Sequence, residues 1–312
     1  MDSKEPSSVA IIIINWNGYS LSRRCLLSLM QIHYSNYTIV LVDNGSEDGS
    51  FEKLKREFET PVFIANEKNL GFTGGNNAGI DYAIKNKFDF ILLLNNDTEV
   101  EPDFLNELLK VQKSHPNVGM VQPLILFHDK RDKIWSAGGR YIAPLGIAKT
   151  LDSQKNFQTA KVEDKVLDWA TGCCILIPRQ IIEKVGTLQQ SYFAYFEDVD
   201  WSLRIRKAGY LIYLAAKSTI YHEGGASSKK AHKEGMISPT VFYLYCRNQL
   251  FQLRRHLDFP FWVIAWPFHI GKYLIWISYF CIRGRFKKMK AVAKGIRDGI
   301  FLDHHHNEPL CP

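Results

Sequence analysis

The sequence predicts an α/β protein with a mostly parallel central sheet flanked by helices, followed by a C-terminal helical segment that is apolar and then basic. Three observations carry this. Short β-branched runs alternate with helix-period segments over residues 9–115. Clusters of Asn, Asp and Gly fall directly after the strands, where open parallel sheets bind ligands. The 312 residues are 46% hydrophobic, enough to cover both faces of such a sheet. That apolar fraction, with a net charge of only +7, excludes a disordered chain, and 21 Gly without a period exclude collagen-like architecture.

The elements follow in order. VAIIII (9–14) is a buried strand closed by Asn15-Trp16-Asn17-Gly18. Residues 20–31 place Leu21, Cys25 and Leu29 at helical spacing, with Ser20 as a candidate N-cap. TIVLVD (38–43) is a second buried strand, and a helix pattern runs over 50–58. A third strand at 61–65 leads into the Gly/Asn-rich segment 69–79, which opens a helix to about residue 86. FDFILLLNND (88–97) is a fourth strand, and Pro102 starts a helix to about His115. Beyond residue 118 the alternation breaks down. VGMVQPLILF is a strand, 129–146 reads as turns and short strands, and 169–186 combines a strand with a helix ending at Gly186. An aromatic stretch from Ser191 turns helical up to Gly209, and a last strand leads to His222.

Charge is unevenly placed. Residues 251–312 contain ten Lys or Arg against four acids, whereas residues 1–250 are nearly neutral, which argues against a nucleic-acid-binding body. The six cysteines include no CxxC pair, so reduced cytosolic thiols are expected rather than a zinc or redox site. MDSKEPSSV lacks the basic start and apolar run of a secretory signal, and the chain is expected not to be exported.

Neither a GxGxxG after the first strand nor a GxxxxGK[ST] loop is present, which removes NAD enzymes and P-loop NTPases. Asp43, followed by Asn44-Gly45-Ser46, suits either an Asx-turn or an acceptor for a base N3–H or a ribose hydroxyl. Asn95-Asn96-Asp97 is either a turn or an oxygen-rich site for Mg²⁺ or Mn²⁺. Glu197-Asp198, with Asp200, either complements a helix dipole or supplies a general base tuned by apolar neighbours. His222 is a structural imidazole or a metal ligand. Lys229 and Lys230 lie in a polar loop that either stays solvated or closes over a diphosphate.

In this order the motifs resemble those of the family 2 glycosyltransferases, inverting enzymes of the GT-A fold, over roughly residues 8–250. The resemblance implies a nucleotide pocket that begins at Asn15, Asn17 and Gly18, with Asp43 reading the base beside Asn44. Asn69, Gly71 and the GGNNAG segment with Gly75 and Asn76 are similar to the nucleotide-sugar loop of rhamnosyltransferase-like members. Asn95-Asn96-Asp97 stands where the family has its DXD motif, with Asp97 the only acid, and His222 where it has a downstream metal-coordinating histidine. Glu197-Asp198 corresponds to the motif supplying the base, with Asp198 taking the acceptor proton. The implied donor is a dTDP- or UDP-sugar, with dTDP-rhamnose the leading one, and the implied acceptor is a lipid-linked or cell-surface glycan. A sugar-phosphate nucleotidyltransferase and a membrane-tethered scaffold without activity are the alternatives.

The expected organisation is a catalytic domain at 1–250, with a nucleotide-binding half (1–117) and an acceptor half (118–250), then a tail at 251–312. Within the tail, residues 259–282 are long enough to span a bilayer. Pro260, Pro267, a central Lys272 and dispersed aromatics argue against a span. The basic run 283–299 points instead to peripheral or monotopic attachment at the cytoplasmic face of the cell membrane.

Overall fold

A computed structural model describes residues 6–224, 234, 236–305 and 309–310; Lys229 and Lys230 lie outside the described residues. The first half runs β1 (Val9–Asn15), α1 (Tyr19–Leu29), β2 (Tyr37–Asn44), α2 (Ser50–Glu57), β3 (Val62–Asn66), α3 (Gly71–Lys85), β4 (Phe90–Asn95), β5 (Thr98–Val100) and α4 (Phe104–Ser114). The second half runs β6 (Val118–Phe127), β7 (Ile134–Ser136), β8 (Gly139–Ile142), β9 (Ile147–Thr150), β10 (Lys165–Leu167), β11 (Cys174–Pro178), α5 (Arg179–Val185), α6 (Glu197–Lys207) and β12 (Leu211–His222). Three helices close the chain: α7 (Pro239–His256), α8 (Trp262–Ile282) and α9 (Phe286–Phe301).

The main sheet has the order β10-β12-β6-β11-β4-β1-β2-β3, with β5 paired to β12 and β7 to β6. Strands β4, β1, β2 and β3 are parallel neighbours, and β11 inserts antiparallel between β4 and β6. The alternation read from the sequence is therefore a parallel half-sheet. It gives way after residue 118 to a mixed sheet in which β10 and β11 run opposite to β6 and β12. Sequence periodicity missed β5, β9 and β10, strands of three or four residues whose partners are remote or lie across a short hairpin.

Both faces of β1 are covered, which is why it reads as a continuous apolar run. Val9, Ile11 and Ile13 pack with Cys25, Leu26 and Leu29 of α1 and Phe104, Leu105 and Leu108 of α4. Ala10 and Ile12 face the other layer, with Ile80 and Ala83 of α3 and Trp201 and Ile205 of α6. A third cluster joins the last helices through Cys246, Leu250, Leu253, Tyr273, Phe280 and Val292. Residue 250 falls inside α7, so this helix runs from the body into the tail without a break.

α8 carries a buried side with Ala265, His269, Tyr273 and Phe280, and an outer side that leaves large apolar groups in solvent, among them Ile275 (69% exposed) and Ile282 (84%). Among the described residues no helix is long and apolar enough to cross a membrane.

Candidate active site

The parallel register sets Asn15 of β1 directly beside Asp43 of β2, at the carboxyl ends of both strands. Asn15 Nδ2 donates to Asp43 Oδ1 at 2.8 Å and to Ser50 Oγ at 2.8 Å. Asn15 Oδ1 accepts from Ser22 Oγ at 2.8 Å, and Ser22 Oγ accepts from Asn96 Nδ2 at 2.9 Å. One buried polar chain thus links Asp43 to the end of β4. The other Asp43 oxygen accepts the Ser46 N–H at 2.9 Å, so the Asx-turn exists, and it holds the carboxylate in place.

Beside it opens a cavity of about 370 Å³ lined by Trp16, Asn17, Asp43, Ser46, Lys68 and Asn69. Its size suits a small ligand. A second depression, of about 530 Å³, lies between α4, β10 and β12 and touches none of the candidate residues. Asn17 holds the cavity wall in a left-handed conformation (φ 49°), accepting the Glu47 N–H at 2.8 Å through its side chain. Gly18 leaves room for Asn96, whose Nδ2 stands 3.0 Å from where a Cβ would be.

Other candidates build the scaffold behind this cavity. Asn44 Nδ2 donates to Asn69 Oδ1 (3.1 Å) and Gly71 O (2.9 Å), and its Oδ1 accepts from Asn66 Nδ2 and Leu70 N. Gly75 packs against Asn44 and Ile14. Asn76 is buried in α3 and donates to Phe72 O, one turn back. Of the Gly/Asn-rich segment, therefore, Asn69 reaches the cavity, while Gly71, Gly75 and Asn76, with Asn44 of β2, shape the loop that forms its wall.

β5 pairs Thr98 with His222 of β12, which brings Asp97 onto the histidine. His222 Nε2 lies 3.1 Å from Asp97 Oδ1, both groups are buried, and the Trp135 ring sits edge-on to the imidazole at 4.5 Å. Two ligands of an octahedral ion at about 2.1 Å stand roughly 3 Å apart, so this spacing fits Mg²⁺ or Mn²⁺. His222 Nδ1 has no hydrogen-bond partner among the described residues, so no protein acceptor fixes the tautomer that would close Nε2 to an ion. Among the described residues no group of three His, Cys, Asp or Glu side chains gathers, so the candidate site consists of this pair.

Glu197 and Asp198 open α6, where its dipole favours negative charge. Asp198 Oδ2 accepts the Gly172 N–H at 2.9 Å and Oδ1 the Val199 N–H at 2.8 Å. The neighbouring Cys173 O accepts the Asn95 N–H at 2.8 Å, which joins the acidic pair to the end of β4. Burial pushes both carboxyls above the usual range, and the Asp198 charge raises Glu197 further. Backbone hydrogen bonds pull Asp198 partly back, whereas Glu197 Oε2 is buried with no partner among the described residues. Glu197 therefore holds a proton more readily, and Asp198 is the member suited to ionise. Divergent environments of this kind separate acid from base roles.

Two features were not legible beforehand. The turn before the acidic pair holds Phe193, Tyr195 and Phe196 at positive φ (63°, 73° and 70°), a strained run for non-glycine residues. Adjacent residues of α7 hold it. Arg247, fully buried, donates to Ser191 O (3.0 Å) and Tyr192 O (2.9 Å), and Asn248 Nδ2 to Tyr192 O, Ala194 O and Tyr195 O at 2.7–2.9 Å. Phe193 O accepts the Thr73 N–H at 3.1 Å, tying the turn to the start of α3. The second feature is Asp200, which ends up in a buried ion-pair cluster with Arg204, Arg255 and His256 and not with the other two acids. The only prior sign of the first was a polar Arg-Asn pair inside an apolar helical pattern.

A parallel half-sheet with polar strand ends, continued by a mixed half-sheet, is the architecture of the GT-A fold. The solved GT-A structure of GalNAc-T7 with UDP, GalNAc and Mn²⁺ superposes with a TM-score of 0.62 at 16% identity, covering 81% of this chain and 48% of that one. The mannosyltransferase PcManGT from Pyrobaculum calidifontis, with GDP-Man and Mn²⁺, superposes at 0.57 and 13% identity, covering 94% and 87%. Residues 10–186, more than half of the chain, match the family model Glycosyl transferase family 2, and the protein belongs to that family. Among curated relatives, the N-acetylglucosaminyl-diphospho-decaprenol L-rhamnosyltransferase of Mycobacterium tuberculosis is 25% identical over 72% of this chain and 77% of its own. Rhamnosyltransferase WbbL of Escherichia coli is 27% identical over 69% and 83%, and the dTDP-rhamnosyl transferase RfbF of Shigella flexneri 21% over 80% and 81%. The protein is a glycosyltransferase resembling rhamnosyltransferases.

Proposed function

We propose that the protein transfers a deoxyhexose, rhamnose from dTDP-rhamnose, to a hydroxyl of a lipid-linked glycan with inversion at the anomeric carbon. The observation that supports this is the connection of the acidic pair to the end of β4 through Gly172 and Cys173, with Asp43 linked to the same strand end through Asn15, Ser22 and Asn96. The names of the curated relatives support the choice of donor and acceptor.

In this reading Asp43 accepts the base N3–H, which thymine and uracil share, and the exposed Trp16 and Asn17 border the base. Asn95 and Asn96 orient the donor, and Lys229 and Lys230 contribute charge toward its diphosphate. Asp97 and His222 would hold a divalent cation, which when bound neutralises the diphosphate leaving group. Asp198 removes the acceptor proton as the acceptor oxygen attacks from the face opposite the leaving group. Glu197, protonated beside it, keeps the pair from carrying two charges in one apolar site.

The outer side of α8 and the exposed Arg283, Lys287 and Lys290 support peripheral attachment to the cytoplasmic face of an anionic membrane. Burying each exposed side chain contributes about 1.5–3 kcal/mol, and each basic residue adds about 1 kcal/mol. Lys288, by contrast, is buried against Glu234. The catalytic unit then ends within α7, with α8 and α9 as the attaching segment.

A panel of nucleotide sugars, assayed with and without Mn²⁺ and with the product configuration read by NMR, tests the chemistry. Inverted rhamnoside from dTDP-rhamnose supports it; a retained product, or nucleotide exchange from a sugar 1-phosphate and a nucleoside triphosphate, overturns it. Co-sedimentation with phosphatidylglycerol vesicles tests attachment. The double substitution Ile275→Glu and Ile282→Glu should release the protein while leaving its fold intact, and unchanged binding would refute this face as the contact.

A further inference from the structure

Lys272 stands at the border between the two sides of α8. Phe268, Ile275 and Tyr279, at i−4, i+3 and i+7, share the exposed apolar side with it, while His269, Tyr273 and Trp276 turn inward. Its ammonium lies 4.7 Å from the ring centre of Tyr273, 5.4 Å from that of Tyr245 and 5.7 Å from that of Trp276. Three rings at such distances form an aromatic cage for a cation.

The hydrogen bond that Lys272 makes goes to a neutral group. His269 is fully buried and its Nε2 bonds to Leu145 O at 2.8 Å, which requires the N–H there. Nδ1 is left with a lone pair, and Lys272 Nζ donates to it at 3.2 Å. Burial and the Lys272 charge hold His269 down to about 4, so the imidazole stays uncharged. Among the described residues no carboxylate pairs with Lys272, and burial brings its ammonium down to about 8. A part-buried cation in an aromatic cage, without a counter-ion, loses solvation that an incoming anion restores.

The cage borders the acidic pair. Tyr245 stacks edge-on with Phe196 at 5.1 Å, and Phe196 immediately precedes Glu197. Tyr245 thus touches both Lys272 and the residue that leads into the acidic pair.

We propose that Lys272, within Tyr245, Tyr273 and Trp276, binds the phosphate of an amphiphilic acceptor, whose sugar hydroxyl reaches toward Asp198 and whose chain runs along the exposed side of α8. This rests on the sugar-transfer reading above and adds to it the acceptor's charge and its place. The occupant is the acceptor's own phosphate; a membrane lipid headgroup is the competing source of the same chemistry.

The test compares two acceptors with one sugar, N-acetylglucosamine carried either on an alkyl diphosphate or as an uncharged alkyl glycoside. Lys272→Met keeps the length and packing without the charge, and Lys272→Arg keeps the charge. Lys272→Met should raise KM for the diphosphate acceptor roughly ten- to a hundredfold, the range of a lost charge-assisted hydrogen bond. It should leave KM for the alkyl glycoside and for the donor unchanged, and Lys272→Arg should recover most of the difference. Equal effects on both acceptors, or none, overturn the proposal. Loss of vesicle binding with an unchanged diphosphate KM also overturns it and assigns the cage to a headgroup. If Lys272→Met does not fold, the wild type decides. Added salt should weaken the diphosphate acceptor more than the glycoside, and equal salt dependence refutes the site. Failure of the wild type to transfer sugar to either acceptor refutes the sugar-transfer reading itself, a different result.

Discussion

Asp200→Asn is expected to destabilise the protein by about 3 kcal/mol, the lower end of the cost of breaking a buried ion pair from one side. The Asp200 carboxylate is fully buried and meets Arg204 Nε at 2.8 Å, Arg255 Nε at 2.8 Å and His256 Nε2 at 2.7 Å. Asn keeps the volume and removes the charge, leaving cations without their anion. Arg204 retains Val185 O and Thr187 O as acceptors and Arg255 retains His304 O, so the penalty lies mainly in two buried charges left without their anion. For a chain of this size that loss lowers Tm by about 4–6 °C. Urea denaturation should show a lower midpoint with an unchanged slope. The pH dependence has a definite sign. Burial alone would raise the Asp200 carboxyl, but the His256 hydrogen bond and the Arg204, His256 and Arg255 charges outweigh it and hold the group well below the usual range. A depressed folded value contributes stability above the unfolded value of about 4 and loses it as pH falls through the folded value. The gap between wild type and Asp200→Asn should therefore be full at pH 5 and shrink below about pH 4. A cost under about 1 kcal/mol, or a gap that widens with acid, would refute the buried cluster as the clamp between α6 and α7.

Asp198→Asn should lower kcat by about 10²–10⁴, the usual worth of a general base. It should also stabilise the fold at neutral pH, since a carboxyl raised by burial costs stability as pH climbs from its unfolded value toward its folded one. The acid limb of wild-type kcat/KM should lie above the ordinary carboxylate range, and a limb near pH 4 would contradict this assignment. Gly71→Ala should reduce both stability and donor affinity, by thermal melt and nucleotide titration. Gly71 sits at φ 73°, and a Cβ there would collide with Phe193 O. Asn248→Ala removes three bonds to the carbonyls of the strained turn and should lower kcat more than it raises donor KM, because the turn places Glu197 and Asp198. A purely proportional loss of folded protein, with normal kcat per active site, would show that Asn248 acts on stability alone.

The parallel half-sheet was legible because β1, β2 and β4 are buried on both faces and so read as unbroken apolar runs ending in turn residues. The same logic located Asn15, Asp43 and Asn95 at the carboxyl ends of β1, β2 and β4, since the chain must leave each strand where the crevice forms. The acids at 197 and 198 were visible as residues, but their unlike environments were not. That difference depends on Gly172 supplying an N–H to one carboxyl and on burial leaving an oxygen of the other unpartnered, contacts between segments far apart in the chain. Asp200 shows the limit most plainly. In sequence it is a third acid beside the pair, and in the fold it belongs to Arg255 and His256 of a helix more than fifty residues away. Local propensity and burial periodicity are written along the chain, so the sequence alone determined the parallel half-sheet, its polar strand ends and an apolar-then-basic tail. The pairing of β5 with β12, the grip of Arg247 and Asn248 on the strained turn and the cage around Lys272 arise only when remote elements pack. Each depends on distances across the fold that no local pattern encodes, and the tertiary structure alone decided them.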